Sequence, residues 1–416
     1  MKIAMIFFSL NVAGGSASVF LSLANALQKK GCQIDVYCYY YDPKKCFPEL
    51  AESLNINYVK LINEKGSRLN NQSLANRLRL AIDYYFKALI LYGLMENKKY
   101  DLVFASEACA YIPALAYKKR HKTPVCWSVF DPISLIDEKK PGLLINRYQW
   151  FKYLLKIHNL FDSRKIREID KVIVPTSKMK RDLDKFYKIE SETMPLAGVN
   201  SAVYEKDQKE LIVRKLKDEF GFEKANETIL FSLGHFLPHR RYEDILLAMD
   251  LLIKNGFKNF KFIISGSQDF DPAYFSHLKD LIYKLNLESY VILDESFKTA
   301  KEVIGYYQYC DIFLFVSTEQ TWGLAPFEAL ISGKPIVISK GVGCSEVFKD
   351  KENAIIVDEK SPEQIASAIK LLKDRNLYFS LTNQGRIFVR ENFTYDKIAC
   401  ELERLFKNII GTQCQN

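Results

Sequence analysis

The sequence predicts an α/β protein made of two doubly wound, Rossmann-like domains. Three observations predict it. The chain has 416 residues, more than one ordinary hydrophobic core holds. Short apolar runs alternate with helical patterns from end to end, as parallel sheets with crossover helices require. Both periodicities break near residues 196–204, where Pro195, Gly198 and Asn200 interrupt the chain. The expected domains are 1–198 and 199–394.

The elements can be justified in order. The run 3–8 has strand length, Gly14-Gly15 is a turn, and 18–28 has helical spacing. The start therefore reads as a βα unit and not as a signal peptide. Further strand-like runs in the first half lie near 34–39, 102–105, 125–129 and 172–175. In the second half they lie near 229–233, 261–265, 290–293, 312–316, 335–338 and 354–357. The last helical stretch covers 395–410. No stretch reaches the ~18 to 20 continuous apolar residues of a membrane span.

Composition excludes a disordered or fibrous chain: 48% of residues are apolar and 26% charged, with no low-complexity run. Nine cysteines form an odd set with no C-x-x-C, which fits a reduced cytosolic compartment better than a disulfide framework. Charge is uneven. Residues 1–198 hold 31 Lys and Arg against 19 Asp and Glu, a net +12, whereas the rest of the chain is near −3. A basic half beside a nearly neutral one points to an anionic partner for the first domain.

The most informative stretch is 310–348. Two apolar runs flank polar residues and a helix that starts near Leu324 and ends at Gly333. Ligands of open α/β sheets bind where strands end and helices begin. That junction carries Glu319, Gln320, Gly323 and Glu328. Carboxylates accept hydrogen bonds from hydroxyls, and free helix N–H groups hold anions. A phosphate joined to a polyhydroxylated ring needs both. Around this block, Gly14-Gly15 opens the first helix and Gly234 to Glu243 follows the first strand of the second domain. Gly266 ends the strand after that. The Gly-Gly loop is not the G-x-G-x-x-G dinucleotide fingerprint, which disfavours a dehydrogenase. Asp269-Phe270-Asp271 has the form of a D-x-D metal motif but sits in a loop before a helix, and no metal site is expected.

The block resembles the donor-sugar motif of retaining glycosyltransferases of family 4, written E-x-F-G-L-x-x-x-E. Glu328 takes the second Glu, Gly323 and Leu324 the Gly-Leu, and Trp322 the aromatic position. The first Glu falls on Gln320, with Glu319 one residue early. The resemblance implies the GT-B fold: two Rossmann-like domains facing a cleft, with the last helix, 395–416, crossing back to the first. It implies that Glu328 holds the nucleotide ribose and that Glu319 and Gln320 lie near the donor sugar. The segment from Gly234 is similar to the family's G-R-x-x-x-x-K-G, whose Arg and Lys hold the donor diphosphate. Those roles are expected of His235 and Arg241, with Arg240 adjacent. Gly15 and Gly266 are expected to approach the donor, and Phe297, within 294–298, to lie where the family contacts the base. Residues 198–204 resemble the linker pattern G-V-D/N-x-x-x-F, with Tyr204 last.

On the acceptor side, many members carry a His in a context like H-D-P. Here Phe130 stands at the His position and Asp131 follows. Asp131 or Glu107 is expected to orient the acceptor. The segment 139–167 mixes Arg and Lys with Tyr148, Trp150, Phe151 and Tyr153, which suits an anionic membrane surface. No nucleic-acid module is recognisable. The resemblance therefore implies a retaining transferase that moves a hexose-type sugar from a nucleotide-diphosphate sugar to a glycan or lipid-linked acceptor. The setting would be cell-surface polysaccharide or glycoconjugate synthesis, on the cytoplasmic side, with no tightly bound cofactor. Gln320, His235 and Phe130 motivate a second reading, a glycosyltransferase-like binding or partner subunit without turnover. Sugar-nucleotide epimerisation is a third.

Overall fold

The computed structural model describes residues 1–11, 14–61, 86–107, 110–130, 162–296 and 298–413. The chain divides into two compact units. The first comprises Met1–Ala197 and Tyr395–Asn416, and the second Gly198–Thr394.

The first unit is built on β1 (Lys2–Phe7), β2 (Ser9–Leu10), β3 (Gln33–Tyr41), β4 (Asn55–Leu61), β5 (Leu102–Ser106), β6 (Val125–Ser128), β7 (Lys171–Val174) and β8 (Ser191–Thr193). Every pairing is parallel, in the order β4-β3-β1-β5-β6-β7-β8, with β2 also on β3. Central strands such as β1 and β5 are buried on both faces, so their sequences read as continuous apolar runs. β4 and β8 lie at the two edges and were not legible as such runs. β4 alternates polar and apolar residues, and β8 is the three polar residues Ser-Glu-Thr. The helix Tyr395–Gln413 buries Ile398, Ala399, Leu402 and Phe406 along one face, and the Phe406 ring lies 5.4 Å from that of Phe104 on β5.

The second unit is built on β9 (Thr228–Leu233), β10 (Phe260–Ser265), β11 (Val291–Asp294), β12 (Ile312–Phe315), β13 (Ile336–Ser339) and β14 (Ile355–Val357). The order is β11-β10-β9-β12-β13-β14, again all parallel. The chain runs from β9 to β11 in one direction, then returns to β12 on the other side of β9. The order reverses between β9 and β12. The loops leaving the carboxyl ends of those two strands therefore diverge and leave a crevice.

Beside that crevice two loops touch through their backbones. The Gly234 N–H donates to Ser265 O at 2.9 Å, and the Gly266 N–H to Asp294 O at 3.1 Å. A Cβ on Gly266 would lie 2.0 Å from the Gly234 carbonyl oxygen. Backbone cannot give way as a side-chain tip can, so Gly266→Ala should destabilise the protein by about 2 kcal/mol or more. Gly93 lies in the last turn of the helical run 86–95, with nothing within 4 Å of its would-be Cβ. Gly93→Ala should raise stability by up to about 1 kcal/mol. Thermal denaturation of the two variants checks both signs.

Candidate functional site

The loop after β9 carries the cationic side of the crevice. Phe236 is fully buried, its N–H donates to Ser267 O at 3.1 Å, and the Tyr242 hydroxyl donates to Gly234 O at 2.9 Å. These contacts fix the two adjacent arginines in different settings. Arg241 has a left-handed φ of 54° and is held by acids at the start of the helix Tyr242–Lys254. Its Nε and Nη2 donate to Asp244 at 2.8 and 2.7 Å, and Nη1 lies 2.5 Å from Glu243. Arg240 has no such partner: among the described residues no carboxylate pairs with it, and its Nε is buried without a hydrogen bond. Its guanidinium carbon lies 5.2 Å from the centre of the Phe315 ring, at the end of β12. Burial lowers its pKa, yet a guanidinium stays charged. Counted residue by residue from Gly234, the G-R-x-x-x-x-K-G pattern brings its Lys to Arg240 and its last Gly to Arg241, where the left-handed φ stands. The His235 ring lies 4.3 Å from that of Phe270. Burial and the Arg240 charge hold its pKa below the usual 6.5, against the pull of Asp269.

The loop after β12 supplies the polar side. The Thr318 N–H donates to His239 O at 2.7 Å, joining the two diverging loops. Glu319 is exposed and takes a left-handed φ of 56°, a conformation a non-glycine residue holds only when its surroundings fix it. Gln320 supplies that fixing. Its N–H donates to Gly341 O at 3.3 Å, and its carbonyl accepts from the Gly343 N–H at 2.7 Å. Gly323 has φ 106°, and a Cβ there would sit 3.0 Å from the Phe315 ring. Trp322 is buried against Phe327 and Phe393. Leu324 caps the helix Ala325–Ile331, its carbonyl accepting from the Phe327 N–H at 2.9 Å.

That short helix aims Glu328 at two tyrosines. The Tyr204 hydroxyl donates to Oε1 at 2.9 Å and the Tyr307 hydroxyl to Oε2 at 2.8 Å. Burial raises the Glu328 pKa, and the two hydrogen bonds oppose that rise. At the end of β11, Asp294 binds the Lys298 ammonium at 2.8 Å, the Ser296 hydroxyl at 2.8 Å and the Tyr306 hydroxyl. Burial alone would raise its pKa, but these three donors outweigh it and hold the group below 3.8. Phe297 lies outside the described residues. Asp271 of the D-x-D triplet caps the helix Pro272–Lys284 by accepting from the Tyr274 N–H at 2.9 Å. Among the described residues no group of three His, Cys, Asp or Glu could hold a metal ion.

In the first unit, Gly15 is the first residue of the helix Gly15–Lys29, with Gly14 as its cap. Asp131 and the stretch 131–161, which holds most of the basic aromatic segment, lie outside the described residues. Glu107, at the end of β5, takes φ 76°. Its N–H donates to Ser128 O at 3.0 Å, and its carbonyl accepts from the Trp127 indole at 2.9 Å.

The second unit thus brings together His235, Arg240, Gly266, Gly323 and Glu328 around one strand reversal. Sequence reasoning missed the two tyrosines on Glu328. Tyr204 carried one signal, a hydroxyl where the linker pattern has Phe. Nothing in the spacing of Tyr307 marks it.

Two family models match the chain. Residues 13–195 match the one described as Glycosyltransferase Family 4, and residues 213–388 the one described as Glycosyl transferases group 1. The alpha-1,3/1,6-mannosyltransferase ALG2 of Homo sapiens is 21% identical over 95% of this chain and 94% of its own length. The alpha-monoglucosyldiacylglycerol synthase of Streptococcus pneumoniae is 27% identical over 50% of this chain and 44% of its own. Among solved structures, Anabaena Alr3699/HepE in complex with UDP and glucose superposes with a TM-score of 0.71 at 16% identity, covering 98% of this chain and 100% of that one. At that identity the likeness speaks for the GT-B fold. No described helix is long and apolar enough to cross a membrane.

The two arginines should separate experimentally. Arg241→Met leaves the buried Asp244 carboxylate without its guanidinium and should cost about 2 kcal/mol of stability. Arg240→Met removes no ion pair among the described residues and should leave the melting temperature within a few degrees of the parent.

Proposed function

The chain belongs to the group 1, family 4 glycosyltransferases and moves sugar from a nucleotide sugar to an acceptor, and on that premise we propose that its second unit binds the donor with Arg240 at the diphosphate and Glu328 at the ribose. One observation carries the reading. A guanidinium with a buried, unsatisfied Nε stands at the strand reversal. A buried cation with no counter-ion is costly unless a ligand supplies the charge. The leaving nucleoside diphosphate gains negative charge in the transition state, and a fixed guanidinium lowers that barrier.

In this reading Glu319 and Gln320 meet the hydroxyls of a hexose-type donor sugar. Gln320 donates and accepts hydrogen bonds without charge. The reaction retains anomeric configuration by a front-face path, in which the leaving phosphate takes the acceptor's proton. The first unit receives a glycan or lipid-linked acceptor, with Gly15 at the start of its helix approaching the donor and Asp131 or Glu107 orienting the hydroxyl. The fixed backbone of Glu107 supports the latter. The pneumococcal relative, named as synthase of a diacylglycerol glycoside, supports a lipid acceptor. The +12 charge of residues 1–198 supports peripheral attachment to an anionic membrane on its cytoplasmic side, in cell-surface glycoconjugate synthesis. The nucleotide sugar is a co-substrate, and no tightly bound cofactor takes part.

A panel of UDP-, GDP-, ADP- and dTDP-sugars tests the proposal. One base should stabilise the protein and release its diphosphate in the presence of acceptor. Silence toward every donor would overturn it. Arg240→Met should weaken nucleoside-diphosphate binding about 10- to 100-fold.

His235 adds a pH dependence. Its pKa lies below 6.5, so the ring is neutral at pH 7 and gains charge as pH falls through that lowered value. Diphosphate affinity of the parent, divided by that of His235→Gln, should therefore rise below about pH 6.5. The terminal phosphate's own proton uptake, near ~6, is common to both proteins and cancels. A flat ratio from pH 5 to 8 would remove His235 from the site.

A further inference from the structure

We propose that Tyr204 and Tyr307 are positioning residues whose hydroxyls fix the Glu328 carboxylate so that one lone pair on each oxygen faces the donor's ribose diol. The inference rests on the reading of Glu328 as the ribose group and adds what makes that group selective. An ionised carboxylate offers about four acceptor sites on two oxygens. Tyr204 takes one on Oε1 and Tyr307 takes one on Oε2. One site on each oxygen remains, the arrangement a vicinal diol would use. Without the tyrosines the carboxylate could turn about its last bond, and its burial would favour the protonated, donor-bearing form.

Both hydroxyls are themselves held. The Tyr307 ring packs edge-on against Phe231 of β9 and Phe313 of β12, with centroids 5.7 and 5.3 Å apart. The next residue, Gln308, donates from Nε2 to Tyr204 O at 3.2 Å and to Lys206 O at 2.8 Å, and accepts from the Gln208 N–H at 2.7 Å. One helix, Ala300–Tyr309, thus carries the first hydroxyl and anchors the backbone that presents the second. The linker pattern ends in Phe, so the Tyr204 hydroxyl is this chain's own addition. It is aimed at the group that matters for the ribose.

The test compares nucleoside diphosphates with their 2′,3′-dideoxy counterparts, using UDP, GDP and ADP and following whichever base binds. The parent should prefer the ribose form by tenfold or more. Tyr204→Phe and Tyr307→Phe should each shrink that preference about threefold or more, and the double variant should reach the level of Glu328→Gln. Because the contact is made equally in ground and transition states, KM should rise while kcat holds. Melting temperatures separate this from loss of fold, and Phe at 204 is the residue the pattern carries. Phe variants that keep the parent's full preference, while Glu328→Gln loses it, would overturn the clamp and leave the ribose reading intact. A parent without preference for the ribose form, or a Glu328→Gln that keeps it, would overturn both.

Discussion

The site of the second unit depends on one backbone-on-backbone approach, that of Gly266 to the Gly234 carbonyl. Two parallel neighbours, β9 and β10, end side by side, and their exit loops would collide if residue 266 carried a side chain. Because it is glycine, the two loops meet main chain to main chain, and the loop after β9 goes on to place Arg240 over Phe315 of β12. The Thr318–His239 hydrogen bond then closes the path on the other side of the reversal. Three loops from three strands are thereby set by a few main-chain contacts, and the chemistry-bearing side chains ride on a rigid rim.

Charge is arranged on that rim by exclusion. Two arginines stand next to each other in sequence, and two acids follow at once in Glu243 and Asp244. The acids sit in the first turn of their helix, where the dipole favours them, and they claim Arg241. Arg240 points the other way, over the Phe315 ring, and keeps its charge for something else. The same logic governs the acids: Asp294 is saturated by its own donors, whereas Glu328 is held by neutral hydroxyls that leave acceptor capacity open.

Much of this was legible in the sequence. Buried parallel strands read as apolar runs because both faces are covered, so the central strands of both sheets stood out. The edge strands β4 and β8 did not, since a half-exposed strand keeps polar residues. The glycines and Glu328 could be picked out because their spacing follows a backbone requirement. The choice between Arg240 and Arg241 could not be made on residue type. The register of the G-R-x-x-x-x-K-G pattern points to Arg240, and the structure adds the physical reason, since the following acids reach Arg241. Tyr307 was invisible for a related reason: in a helix rich in aromatics, one hydroxyl differs from its neighbours only by where it points.

The helix Tyr395–Gln413 carries a consequence for how the protein is made. It belongs to the first unit, yet it leaves the ribosome after the whole of the second. The second unit is continuous in sequence and is complete once Thr394 has emerged. The first has every strand by then but lacks the helix that covers Phe104. At about 5–20 residues per second, that apolar surface waits on the order of ten seconds or more for its cover. Unit order in the chain is thus the reverse of completion order in time. During synthesis, chaperone engagement and premature cleavage are expected to concentrate on the amino-terminal half.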